Sequence, residues 1–297
     1  MDCKFSIIIP HYGIPDKLER LLSSIPVRED IQIIVVDDCS EKTALQQLDV
    51  LKVKFTNVDF YSTGTNGGGG KARNIGLKAA KGKYVLFADA DDFFLYSLNS
   101  ILDLYADSDY DLIYFNAISL VEDSYNISNR TSHLNSFIGM HPKNPELSEL
   151  KLRYIFGEPW CKIIKRSIID DNNITFQECK VHNDTLFSYE VGLAAKSVAV
   201  CDVSAYVVID RPFSVSKTTN WEKQKLAVEI FAKKNRVLSD KNISVFDPLL
   251  FNPFIKCLKS LNLRLFRELK DIANKYGYSV PLLCYKFFVT KVKTKLN

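Results

Sequence analysis

Two short acidic runs carry the residues best suited to chemistry. IQIIVVDD (31–38) ends in Asp37 and Asp38, and KYVLFADADD (83–92) ends in Asp89, Asp91 and Asp92. Both begin with the continuous apolar, β-branched character of a strand buried on two faces. In an open α/β sheet the ligand crevice lies at the carboxyl ends of the strands, so up to five acids should converge there. Alone they would repel one another and raise each other's pKa values. A divalent cation that prefers hard oxygen donors, Mn2+ or Mg2+, would relieve the repulsion and bridge a substrate diphosphate.

Between the acidic runs lies GTNGGGGKARNIG (64–76), four consecutive glycines ahead of a helical pattern. A P-loop would need glycine at 65 and Ser or Thr at 72, where the sequence has Thr65 and Ala72. Gly67, Gly69 and Ala72 match the dinucleotide pattern G-x-G-x-x-[GA]. That fingerprint belongs to the first strand–helix turn, however, and there the chain reads HYGIPD.

The elements that must position these residues follow from the periodicity. FSIIIP (5–10), 31–38, VDFYST (58–63) and 83–92 read as strands. Residues 16–25, 40–54 and 71–81 read as the helices between them, with Asp16 and Ser40 as N-caps. This alternation predicts an α/β fold with a mostly parallel sheet flanked by helices and right-handed crossovers. Farther on, 110–121 and 197–210 read as strands, 122–146 as an irregular excursion and 147–171 as helical. From about residue 220 the apolar spacing is helical again. The expected division is a catalytic domain over 1–216 and a helical, basic region over 217–297.

The chain has 297 residues, 46% hydrophobic and 25% charged, which excludes a disordered protein. The net charge of +4 hides an asymmetry: residues 216–297 hold 17 Lys/Arg against 6 Asp/Glu. Such a tail suits an anionic membrane surface. A nucleic-acid role is not expected, because interleaved exposed aromatics and a binding-fold motif are missing. The seven scattered cysteines are expected to be reduced. No apolar run approaches the roughly 20 residues of a membrane span. FSIIIP is too short for a signal-peptide core, so a cytoplasmic location is expected, with peripheral contact at the inner face of the membrane. Leu258, Leu261, Leu265 and Leu269 form the apolar stripe of that tail; either it meets a membrane or it packs on the catalytic domain.

FSIIIPHYG, IIVVDDCS, NGGGGKARNIGL and GKYVLFADADD together resemble the nucleotide-sugar half of a family 2 glycosyltransferase of GT-A fold. PWCKIIKRSIID, VHNDTLFS and DRPFSVS follow in the right order, so the resemblance spans roughly residues 4–216. It implies a UDP-sugar donor, with Pro10 and Tyr12 in the loop around the base and Asp38 accepting a hydrogen bond from it. Gly68 to Arg73 would approach the nucleotide. Asp89-x-Asp91 resembles the DxD motif, with Asp91 the principal metal ligand and Asp89 nearer the ribose. Asp184 would be the catalytic base of an inverting displacement, although Asn183 stands where the family carries Glu. Trp160 and Lys162 would line the acceptor wall, with a core tryptophan as the other reading of Trp160, and Arg211 and Ser216 would either close over the diphosphate or belong to a solvated loop.

The resemblance thus implies a hexosyl- or N-acetylhexosaminyl-transferase acting on a saccharide or lipid-linked acceptor in bacterial surface polysaccharide synthesis. A nucleotidyltransferase would want a glycine-rich loop after the first strand, and HYGIPDK is a poor one. A non-catalytic nucleotide-sugar-binding module would have no need of Asp89, Asp91 and Asp184 together.

Overall fold

A computed structural model of the chain describes residues 3–179, 182–211 and 220–286. The chain divides into two compact units, Met1–Pro212 and Phe213–Asn297; the boundary expected at 216 lies outside the described residues.

In the first unit β1 (Phe5–His11) is an interior strand, and Phe5, Ile7, Ile8 and Ile9 are wholly buried because both faces of the sheet are covered. It pairs in parallel with β2 (Ile31–Asp37) and β4 (Tyr84–Phe87), and β2 pairs in parallel with β3 (Val58–Ser62). The register sets His11 against Asp37 and Ile8 against Phe87, so the carboxyl ends of these strands open at one edge. Helices α1 (Pro15–Ser24), α2 (Lys42–Lys54) and α3 (Gly69–Ala79) make the crossovers.

The sheet continues through β7 (Lys162–Lys165), β6 (Leu112–Val121), β8 (Val198–Asp210) and β5 (Phe93–Phe94), giving the order β3-β2-β1-β4-β7-β6-β8-β5. It is parallel at the β3 end and mixed beyond β4: β7 is antiparallel to both β4 and β6, and β5 is antiparallel to β8. The expected helical stretch 147–171 is therefore corrected. It holds α6 (Pro145–Tyr154), then strand β7 and the short α7 (Arg166–Asp171). Ile163 and Ile164 are wholly buried, and pairing on both sides overrides their helical spacing. The excursion 122–146 also contains α5 (Ser132–Gly139). Two N-caps differ from expectation: α1 starts at Pro15, and Asp16 sits inside its first turn, while Glu41 precedes α2 because Ser40 is engaged elsewhere. Helices α4 (Leu98–Tyr105) and α8 (Asn183–Ala194) complete the unit.

The second unit has its own core. Helix α9 (Trp221–Asp240), a 3-10 turn (Pro248–Phe251), α10 (Asn252–Lys259) and α11 (Leu263–Lys275) bury Val228, Phe231, Leu250, Phe254, Leu265 and Leu269 together. Inside it the Lys234 ammonium pairs with Asp247, and Asn235 exchanges two hydrogen bonds with the Asp247 backbone, at 3.1 and 2.7 Å. All seven cysteines are free thiols.

Candidate active site

The turn after β1 is held by a buried relay. His11 donates from Nδ1 to Asp37 Oδ1 at 2.9 Å, while its Nε2 accepts the Ile14 N–H at 3.2 Å. Asp37 Oδ2 accepts the Ser40 N–H at 3.0 Å, its Oδ1 accepts the Ser40 hydroxyl, and Ser40 Oγ accepts the Gly13 N–H at 2.8 Å. Burial pushes the Asp37 carboxyl up, but the bonds from Ser40 and His11 outweigh it and hold it below the ordinary carboxylate range. This relay fixes the segment that carries Pro10 and Tyr12, and leaves the Tyr12 ring half exposed.

Asp38 is buried, and its carboxylate organises the glycine loop. Oδ1 accepts from Gly67 N–H and Thr63 Oγ1, both at 2.9 Å, and Oδ2 accepts from Gly68 N–H at 2.6 Å. Gly68 takes φ +83, a left-handed value that glycine adopts without penalty, and the chain turns there into α3. Gly70 lies against the backbone that precedes α8: a Cβ there would fall 2.1 Å from Gln177 O and 3.0 Å from Asn183 Cβ. The run of glycines thus lets α3 start flush against the segment leading to Asp184.

Arg73 connects these elements. Its Nη2 donates to Asp89 Oδ1 at 2.6 Å, its Nη1 donates to Asn183 Oδ1 at 3.0 Å, and its guanidinium lies 5.4 Å over the Phe176 ring. Asn183, the departure from the family's Glu, is thereby a neutral acceptor for an arginine that already neutralises one carboxylate.

At the end of β4 the three acids take different partners. Asp91 pairs with Arg211, and its carbonyl accepts from Arg20. Burial first, and then the charge of Asp89, push the Asp91 carboxyl up. Asp92 is buried beneath them: it accepts the Ile209 N–H at 2.8 Å and a bond from the Tyr206 hydroxyl. Burial and the Asp91 and Asp89 charges push it well above the ordinary range. The Tyr206 hydroxyl in turn accepts the Asp89 N–H at 2.8 Å. Asp92 and Tyr206 therefore brace the Asp89–Asp91 turn from below. Sequence reasoning missed Tyr206, which reads only as strand material; its pairing with the acids requires β8 to lie beside β5.

The donor set suits a divalent cation as far as the protein can supply it. Asp89 and Asp91 offer hard oxygens, and the Asp89 charge, which adds to burial in raising Asp91, is a repulsion of the kind a cation removes. Among the described residues no group of three or more His, Cys, Asp or Glu could hold a metal by itself. The remaining ligands would be diphosphate oxygens and water.

Asp184 lies half-buried in the first turn of α8. Glu158, unremarked in the sequence, adjoins it: burial and then the Asp184 charge push the Glu158 carboxyl up. Ser188 Oγ donates to Gly157 O at 2.6 Å and ties that loop to α8. Lys162 corrects an expectation, and of the two readings of Trp160 the core one agrees with the structure. Trp160 is 3% exposed, edge-on to Phe156 and stacked on Tyr206, and Lys162 is 1% exposed with Nζ donating to Phe156 O at 3.0 Å. Both belong to the core rather than to an acceptor wall: Lys162 because β7 runs inside the sheet, and Trp160, just before β7, because it packs between Phe156 and Tyr206. Ser216 lies outside the described residues.

Residues 6–172 match the family model described as glycosyl transferase family 2. The chain is 30% identical over 213 residues to poly(ribitol-phosphate) beta-N-acetylglucosaminyltransferase TarS of Staphylococcus aureus (strain Mu50), covering 68% of this chain and 35% of that protein. It is 31% identical over 225 residues to the poly(ribitol-phosphate) beta-glucosyltransferase of Bacillus spizizenii (strain W23), covering 70% of this chain and 32% of that one. The chain thus spans about a third of the length of these curated relatives. The structure of S. aureus TarS 1-349 in complex with UDP-GlcNAc superposes with a TM-score of 0.63 at 22% identity, over 97% of this chain and 92% of that one, and shows the same fold.

Proposed function

Since the chain belongs to glycosyl transferase family 2 and is a glycosyltransferase, we propose that it moves a hexosyl or N-acetylhexosaminyl group from a UDP-sugar to a hydroxyl of a bacterial surface polymer, with inversion and with help from a divalent metal. The observation that carries this reading is that Asp38 organises the glycine loop while Arg73, on the helix that follows, bonds both Asp89 and Asn183, the residue before Asp184. The UDP-GlcNAc bound by the superposed TarS supports the donor class. The poly(ribitol-phosphate) acceptors in the relatives' names support a polymer hydroxyl as acceptor, and the beta linkages there support inversion.

In this mechanism the backbone around Gly68 approaches the nucleotide, and Tyr12 lies beside the base. Asp91, with Asp89, would hold Mn2+ or Mg2+, which when bound supplies Lewis-acid stabilisation of the leaving diphosphate. Arg211 and Arg73 already neutralise these two carboxylates and offer positive charge to the same region. Asp184 takes the proton of the acceptor hydroxyl as that oxygen attacks the anomeric carbon from the face opposite the diphosphate. The proton ends on Asp184 and the bonding electrons on UDP.

The test is a thermal-shift panel of nucleotide sugars with and without Mn2+, in the parent and in Asp91→Ala. A donor that binds only the folded state raises its melting temperature by mass action. The parent should respond to UDP-sugars more strongly with Mn2+, and Asp91→Ala should lose the Mn2+-dependent part and sugar transfer while keeping its fold. Full transfer by Asp91→Ala, or by the parent in excess chelator, would end the metal assignment.

A further inference from the structure

The leucine stripe expected over 258–269 is divided by the fold. Leu265 and Leu269 are buried in the core of the second unit, whereas Leu258 is 54% and Leu261 83% exposed. The division falls where α10 ends at Lys259 and α11 begins at Leu263, itself 65% exposed. Three leucines within six residues therefore stand in solvent at one helix–helix corner.

Leu261 is the telling position. It takes φ +53, in the left-handed region that L side chains rarely adopt, and the next residue, Asn262, caps α11 by accepting from Leu265 N–H at 3.0 Å. Glycine or asparagine would make this turn more easily and without presenting an apolar side chain to water. The corner is also basic. Lys256 and Lys259 are exposed on α10, and the Arg264 side chain is 93% exposed at the start of α11. Residues 252–286 contain seven Lys/Arg against two Asp/Glu.

We propose that the corner between α10 and α11 docks on an anionic phospholipid surface, with Leu258, Leu261 and Leu263 entering the headgroup layer and Lys256, Lys259 and Arg264 facing its phosphates. Each half of the feature selects the partner. Exposed leucines gain by leaving water for the acyl boundary, and cations beside them gain from an anionic leaflet. A soluble phosphate polymer would use the cations and leave the leucines wet. A second copy of the chain would bring like charge against like charge. No described helix is long and apolar enough to cross a membrane, and the docking needs none, because the contact is made by side chains at a turn.

Sedimentation of the full chain with vesicles tests this. Vesicles of equimolar phosphatidylcholine and phosphatidylglycerol should pellet the protein at low salt and release it at high salt, and vesicles of phosphatidylcholine alone should pellet far less. The double variant Leu261→Glu/Leu263→Glu should partition at least about tenfold more weakly, since burying one leucine is worth roughly a factor of ten. Lys256→Gln/Lys259→Gln should flatten the salt dependence. Both pairs are exposed, so circular dichroism and UDP-sugar binding should match the parent. Several results would overturn the proposal. One is that the parent stays in the supernatant at low salt. Another is that the leucine variant pellets like the parent, or that pelleting vanishes only when residues 287–297 are deleted. Vesicle-free self-association abolished by the leucine variant would give the corner to a second copy. Equal displacement of parent and leucine variant by polyphosphate would give it to a soluble polyanion.

Discussion

At the scale of single residues, the site shows how one residue type is set to several tasks by its partners. Asp37 is a structural anion, Asp38 holds a loop, Asp92 is a buried brace, and Asp89 and Asp91 each pair with an arginine. Asp184 is reserved for proton transfer in the proposed mechanism. Asp184→Asn keeps the shape and removes the basicity, so kcat should fall by roughly 10²–10⁴ with donor affinity little changed. NMR of the parent's product should show a β-glycoside from an α-linked donor; a retained configuration would remove Asp184 from this role. Asp37 makes a prediction about pH. Its folded carboxyl titrates below its unfolded one, so its ionised form stabilises the fold above the unfolded pKa of about 3.9, and the contribution is lost as pH falls through the folded value. Asp37→Asn should therefore be less stable than the parent at neutral pH, with the gap in denaturation midpoints narrowing below about pH 4. A gap that is constant across that range would show that the Asp37 charge is not what the relay uses.

At the scale of elements, α3 and α8 make the site by closing on each other. Their contact runs through Gly70, Arg73 and Asn183, and it depends on there being no side chain at Gly70. Gly70→Ala would put a methyl group 2.1 Å from a backbone oxygen, which neither element can avoid by rotating a side chain. We expect a loss of roughly 1–3 kcal/mol in stability, typical of overpacking, with weaker UDP-sugar binding because Arg73 moves with the helix. Thermal melts and donor titration read both, and a variant with parental values would show that α3 has room to shift. The element that sequence periodicity misjudged is β7. CKIIKRSIID has apolar residues at spacings that fit a helix, and only the vacancy between β4 and β6 makes Lys162–Lys165 a strand.

At the scale of the whole chain, two separate cores mean two separate stability problems. The second unit is small and carries a buried ion pair, Lys234 with Asp247. Removing one partner strands a charge in an apolar interior, so Lys234→Met should cost roughly 3–5 kcal/mol. Hydrogen exchange should show the loss across α9 to α11, and exchange in β1, β2 and β4 should be unchanged. Adding Asp247→Asn should recover part of it by removing the stranded charge. A single variant as stable as the parent would mean that the pair is solvated.

The parts of this protein that sequence alone determined are those set by neighbours along the chain. Continuous β-branched runs ending in acids make strands whose ends carry carboxylates, and four glycines before a helical pattern make a loop that backbone can approach. These local patterns sufficed to place β1 to β4, the glycine loop and the acids at one sheet edge, and they carried the family resemblance. The tertiary structure decided which partner each group takes. Asp38 serves the glycine loop, Asp92 reaches β8, Trp160 and Lys162 lie in the core, and the leucine stripe is part core and part exposed corner. Each of these depends on elements tens of residues apart being packed together. Burial and pairing are properties of that packing, and a residue's type and spacing do not contain them.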